Sequence, residues 1–196
     1  MGELLEKDVD FCYGSYYNSL WLYIDKIYNL NLKYNNSQEA IDERKAFLMA
    51  HKIGVCDIVE SCERDKIDAS DLGMKNIKLR NLIGYLKTFP NIDTLLFTGG
   101  NSKNGPEYFF RKHLKDFGLK LEVVSSEVPR IHQFELPNGL NAVGASTRTI
   151  KTVSLTSGSG AANISISKLP SYKQLKAENP KFTTFDFRVM QYKEFL

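Results

Sequence analysis

Apolar positions along the chain recur in two rhythms. Leu20, Trp21, Ile24, Ile27 and Tyr28 fall at helical spacing and predict an amphipathic helix over Tyr17 to Leu30. Ser37 to His51 reads as a second helix, with Ser37 as its N-cap and Ile41, Phe47 and Leu48 turned inward. Asn76 to Phe89 predicts a helix stopped by Pro90, Pro106 to Phe117 one whose first turn suits proline, and Phe182 to Leu196 a closing helix. Short apolar runs between them read as strands: Ile53 to Val59 (interrupted by Asp57), Thr94 to Thr98, Lys120 to Ser125 and Thr149 to Leu155. Asn138-Gly139 predicts a hairpin turn between Phe134–Leu136 and Ala142–Val143. Strand–helix alternation in a chain of 196 residues predicts one α/β domain, residues 1–196. Its expected form is a three-layer α/β/α sandwich with a short, mostly parallel central sheet.

Ligands in such folds bind beyond the carboxyl ends of the strands. Three polar elements fall there: Asp57 with Glu60 to Arg64, Thr98 to Asn104, and Ser154 to Asn163. The last closes the stretch VSLTSGSGAAN, which offers only glycine N–H groups, hydroxyls and an amide. Small donors of this kind suit an anion, phosphate first; a plain Ser/Gly surface loop is the competing reading. TGGNS, Thr98 to Ser102, leads into a helix whose N-terminal end favours anions, yet the chain has neither GxxxxGK[ST] nor GxGxxG, and a structural turn fits as well. Asp57 in an apolar strand needs partners, so it is expected to brace neighbouring loops, with Glu63 and Arg64 in the same network. Asn18 reads as a helix N-cap, and Tyr13, Tyr16 and Tyr17 beside it as core and rim or as a stacking surface for a flat base.

Composition narrows the classes. The net charge is only +3, from 26 basic and 23 acidic residues, so any electropositive site must be local. Cys12, Cys56 and Cys62 have neither paired metal spacing nor the even count of a disulfide scaffold. They fit a reducing, cytoplasmic setting with no metal and no cofactor. No apolar run reaches membrane-spanning length, no signal-peptide pattern opens the chain, and no obligate protein partner is evident. Ser157 and Ser159 lack the GxSxG elbow, and His51, His113 and His132 suggest no triad.

Four segments taken together resemble the uracil-DNA glycosylase superfamily, in particular its hypoxanthine/uracil-excising, mismatch-type branch. They are DFCYGSYYNSLW, GVCDIVESCERDKIDASDL, LLFTGGNSKNGPEYFFRKHL and LTSGSGAAN, and they run in the family's order from Asp10 to Asn163. The resemblance implies excision of uracil or hypoxanthine from DNA by base flipping and metal-free hydrolysis of the N-glycosidic bond. It places Asn18 at the reacting sugar and Tyr13 or Tyr17 against the flipped base. Thr98, Gly99, Gly100 and Asn101 would line the base pocket. Ser157, Gly158, Ser159, Gly160 and Asn163 would grip phosphates on the minor-groove side, with Asp57 and Arg64 as structural support. The sequence departs from the family in three places. Few residues precede Asp10, so the family's first strand is expected to be missing; Ser15-Tyr16-Tyr17 replaces its Pro and basic residue; and Gly158 replaces the second Pro of the closing loop, with one Ala added before Asn163. Two other readings stand beside it: a nucleic-acid-binding relative that cleaves weakly or not at all, and a small-nucleotide-binding α/β domain.

Overall fold

A computed structural model describes residues 5–64, 73–137 and 146–196. In chain order its elements are α1 (Leu20–Tyr28), α2 (Gln38–Ala50), β1 (Val59–Arg64), β2 (Met74–Leu79), α3 (Leu82–Thr88), β3 (Thr94–Phe97), α4 (Pro106–Lys115), β4 (Glu122–Ser125), β5 (Arg130–Pro137), β6 (Thr147–Ser154), α5 (Ala162–Ile166), α6 (Pro170–Glu178) and α7 (Thr184–Phe195). The chain divides into two compact units, one formed by the described residues of Met1–Cys56 with Ser157–Leu196, the other by those of Asp57–Thr156.

The first unit is helical. Ser37 caps α2 by accepting from the Ala40 N–H, and α7 opens with a reciprocal capping box between Thr183 and Asp186. Trp21, Ile24 and Phe47 form one buried cluster; Ile166, Tyr172 and Phe187 form another. Tyr23 of α1 packs against Phe185 and Tyr192 of α7, with ring centroids 5.1 and 5.3 Å away. The buried Arg44 donates through Nη1 to the Lys33 and Ala40 carbonyls and lies over the rings of Trp21 and Tyr34.

The second unit holds the sheet. Its four strands run in the order β3-β6-β5-β4, and β1 pairs with β2 in a separate antiparallel ribbon. Phe97, Phe110, Phe134, Leu136 and Ile150 belong to the core of this unit. The fold is mixed α/β, but the expectation of a mostly parallel sheet is corrected. Among the described residues only β3–β6 is parallel, whereas β6–β5 and β5–β4 are antiparallel. The connection from Pro137 to Thr147 is shorter than the dozen or so residues a parallel crossover needs. β5 therefore pairs antiparallel with β6, from Arg130↔Ser154 to Pro137↔Thr147. Asn138-Gly139 and Ala142–Val143 lie outside the described residues.

Two further expectations change. The first residues of the predicted helix, 76–79, belong instead to strand β2, whose less exposed positions are Met74, Ile77 and Leu79 and whose backbone pairs with β1. Residues 53–58 are not a strand, and Asp57 is exposed, so its carboxylate is not a buried brace. Its Oδ1 accepts from the Val59 N–H at 3.0 Å, a local turn that opens β1.

Candidate functional site

The segment before α1 is folded by its own polar groups. Asp8 is buried, accepting from the N–H groups of Tyr16 at 2.7 Å and Leu5 at 2.8 Å; these bonds hold its carboxyl below the ordinary aspartate value. Gly14 is required at the tightest point, since a Cβ there would lie 2.0 Å from the Val9 carbonyl oxygen. The Trp21 indole N–H donates to the Cys12 carbonyl at 2.8 Å. This knot turns Tyr13 into the Trp21 cluster and leaves Tyr16 and Tyr17 outside, 53% and 75% exposed and edge-to-face at 5.5 Å. Of the two expected stacking residues, Tyr17 is accessible and Tyr13 is packed. Tyr16, its ring partner, completes the exposed aromatic surface.

Asn18 follows directly. Its Oδ1 accepts from the Leu20 N–H at 3.0 Å and caps the first turn of α1 from one residue before the N-cap position, Ser19. Among the described residues its Nδ2 makes no hydrogen bond. The closing loop lies against this amide: a Cβ on Gly158 would stand 3.3 Å from Asn18 Oδ1 and 3.6 Å from the N–H nitrogens of Ser19 and Leu20. Thus the first and last of the four sequence segments, about 140 residues apart, are neighbours in one compact unit.

What shapes the loop is a residue that carried no sequence signal. Arg188 of α7 is only 3% exposed, and a basic residue in an amphipathic helix normally reads as solvent-facing. Its Nε donates to the Ser157 carbonyl at 2.8 Å, Nη2 to the Ser159 carbonyl at 3.1 Å, and Nη1 to Asn163 Oδ1 at 2.8 Å and to the Thr184 carbonyl at 3.3 Å. The peptide bonds of this loop are trans, so each N–H points opposite to its carbonyl. With the Ser157 and Ser159 carbonyls drawn toward Arg188, the Gly158 and Gly160 N–H groups point away from it. Neither has a hydrogen-bond partner among the described residues. Ser157 Oγ donates to Ser159 Oγ at 3.2 Å and accepts from the Ser159 N–H, which leaves the Ser159 hydroxyl proton available. Asn163 serves as a strut under the loop, through Arg188 and the Thr184 hydroxyl at 3.0 Å.

Thr98, Gly99, Gly100 and Asn101 belong to the second unit. There the loop after β3 covers a buried ion cluster at the start of α4. Glu107 is fully buried; Oε1 accepts from Arg111 Nε at 2.9 Å, and Oε2 from Arg130 Nη2 and Ser154 Oγ, each at 2.7 Å. Burial alone would raise this carboxyl, but the donors from Ser154, Arg130 and Arg111 outweigh it and hold it below the ordinary glutamate value. Arg111 Nη2 also meets His132 Nε2 at 2.8 Å. Burial keeps that imidazole below its usual value, with Glu107 pulling up and the two arginines pushing down. Both Glu107 oxygens are engaged, so the cluster is structural. A Cβ at Gly100 would lie 2.9 Å from Arg130 Nη2 and require that guanidinium to shift, and Asn101 opens onto a pocket beside Tyr108. Asp57 and Arg64 line a separate hollow of about 340 Å³ with Asn104 and Pro106. Of the polar ends expected to meet, Asp57, Thr98–Asn104 and Ser154 gather around the start of α4, whereas the rest of the third, residues 157–163, belongs to the first unit.

Among the described residues no three His, Cys, Asp or Glu side chains are grouped as a metal would require, and no helix is long and apolar enough to cross a membrane. Compared with known protein families, curated proteins and solved structures, the chain matches none.

Proposed function

We propose that the protein is a DNA glycosylase that excises a deaminated base, uracil or hypoxanthine, by flipping it out and hydrolysing the N-glycosidic bond. One observation carries this reading: the contact between Gly158 and Asn18, which brings a loop of outward N–H donors against an amide at the start of α1. The donors suit the phosphates that flank an extruded nucleotide. Tyr17, with Tyr16, supplies an exposed ring for stacking. In the reaction a water oxygen bonds to the sugar C1′ while the C1′–N bond breaks, the bonding pair leaving with the base and the water's proton passing to solvent or base. An amide is too weak a base to take that proton, so Asn18 orients the water through Nδ2. Phosphate charge and local dipoles stabilise the oxocarbenium-like transition state. The same reading carries a three-layer α/β/α arrangement, a cytoplasmic location and damaged DNA as the partner.

The deciding experiment is single-turnover excision on uracil- and hypoxanthine-containing oligonucleotides, read beside the thermal midpoint of Asn18→Ala. Loss of excision on the order of 10²-fold with a small midpoint change is expected. A lowered midpoint with unchanged excision reduces Asn18 to a helix cap, worth about 1 kcal/mol. A second reading has its own observation, because Asn18 Oδ1 is already occupied by the Leu20 N–H. If the wild type binds such DNA and excises nothing, the protein is a binding relative without the chemistry.

A further inference from the structure

The second unit carries a pocket that the excision reading does not use. It is an open concavity of about 540 Å³ between α4 and the residues leading into β4. Tyr108, Arg111, Lys112 and Lys115 line it at positions i, i+3, i+4 and i+7 of α4, one face of the helix; Lys120 closes the other side and Asn101 the rim. None of the residues that line it is acidic. Lys112, Lys115 and Lys120 are exposed, and none has an ion-pair partner among the described residues. Arg111 is held at its base by Glu107 and remains about one-third exposed.

Three exposed lysines and the outer part of Arg111 around one concavity make a local positive surface that attracts an anion. In a chain of net charge only +3, three lysines without an ion-pair partner among the described residues are gathered at this one pocket, beside an Arg111 already paired with Glu107. Three of the cations are lysines, point charges on flexible stems that answer to charge more than to shape, unlike the paired fork a single carboxylate selects. Tyr108, 38% exposed and set edge-to-face on Phe109, adds an aromatic face at the pocket. Charge without geometric selectivity, next to an exposed ring, is how single-stranded nucleic acid is held.

The geometry points to a sequence-independent binding site for a single nucleic-acid strand, with Lys112, Lys115 and Lys120 on its phosphodiesters and Tyr108 stacked on a base. This rests on the nucleic-acid reading above, but it needs neither a damaged base nor catalysis.

The test is fluorescence anisotropy of the full chain with a labelled, undamaged single-stranded oligodeoxynucleotide over a salt series. Each phosphate contact on a single strand contributes about 0.7 to the slope of log affinity against log salt. The triple variant Lys112→Gln, Lys115→Gln, Lys120→Gln should lose about 2 from that slope and bind on the order of tenfold more weakly at low salt. A control triple, Lys45→Gln, Lys87→Gln, Lys193→Gln, removes the same charge from exposed sites elsewhere and should leave the slope unchanged. Tyr108→Ala should weaken binding on the order of tenfold at unchanged slope. Equal losses in both triples, or none in the pocket triple, overturn the site. An unaffected Tyr108→Ala, or displacement of the strand by inorganic phosphate at matched ionic strength, overturns the strand as its occupant. Excision measured on the same samples separates the two proposals. If the wild type excises nothing while the pocket triple loses the expected slope and affinity, the enzymatic reading falls and this site stands. If excision is intact and the slope unmoved, the reverse holds.

Discussion

At the scale of single residues, the most consequential side chain is Arg188. One guanidinium satisfies three carbonyls or amide oxygens of the closing loop and one carbonyl of its own helix. Its fork sets the direction of two peptide planes, and so the direction of the Gly158 and Gly160 N–H groups. A lysine keeps the charge but cannot present a rigid fork to acceptors on both sides. Arg188→Lys should therefore cost about 2 kcal/mol of stability, the scale of lost charge-assisted hydrogen bonds, and, on the proposed function, weaken DNA binding by a similar factor for every sequence. Urea midpoints and anisotropy on unrelated oligonucleotides read the two effects separately. Reduced stability with binding intact would mean that Arg188 supports α7 and nothing more.

Elements are joined in the second unit by a single carboxylate. Glu107 links α4 to β5 through Arg130 and to the end of β6 through Ser154. Its folded-state pKa lies below the unfolded value of 4.5. Its stabilisation is thus full above pH 4.5 and lost as the pH falls through the depressed folded value. Glu107→Gln should be less stable than wild type by about 2 kcal/mol near neutrality, with the gap closing in acid. Paired urea titrations across that range measure the gap, and a gap that does not change with pH would remove the ionised carboxylate from the account. None of this cluster was legible in the sequence, because Glu107, Arg111 and Arg130 look like ordinary surface charges until the fold buries one of them. The reverse holds for α2, α4 and α7. Ser37, Pro106 and the apolar spacing of each segment are local signals, and the elements fall within a few residues of their expected bounds. Strand partnership is not local. Nothing in Arg130–Pro137 specifies that its neighbour is Thr147–Ser154 or that the pair is antiparallel, and Asn76 to Leu79 alternates weakly enough to be read as helix. In the candidate site, the glycines and serines of the closing loop and the knot around Gly14 stand in the sequence as motifs. The arginine that orients the loop does not.

For the whole molecule, the order of the chain has a thermodynamic consequence. The first unit is made of two segments far apart in sequence, and the second is the single segment Asp57–Thr156 between them. Both ends of that segment lie by the start of α4, with Asp57 near Pro106, and Ser154, just before Thr156, bonded to Glu107. Folded, the second unit is a short staple between the two halves of the first. Unfolded, it becomes a loop of about 100 residues whose closure costs about 4 kcal/mol. That is a large part of an ordinary domain's stability. The dependence should run mainly one way, since the second unit needs no closure from the first. Trp21, the chain's single tryptophan, is buried in the first unit and reports on it alone. Phe110→Asp places a charge at a fully buried position of the second unit and should unfold it. The Trp21 urea midpoint should then fall sharply, although nothing in its own unit has changed. Phe187→Asp should unfold the first unit, while hydrogen-exchange protection persists at the β5–β6 amides. An unmoved Trp21 midpoint in Phe110→Asp would refute the staple. Loss of β5–β6 protection in Phe187→Asp would refute the asymmetry and show that the units depend on each other through more than the chain joining them.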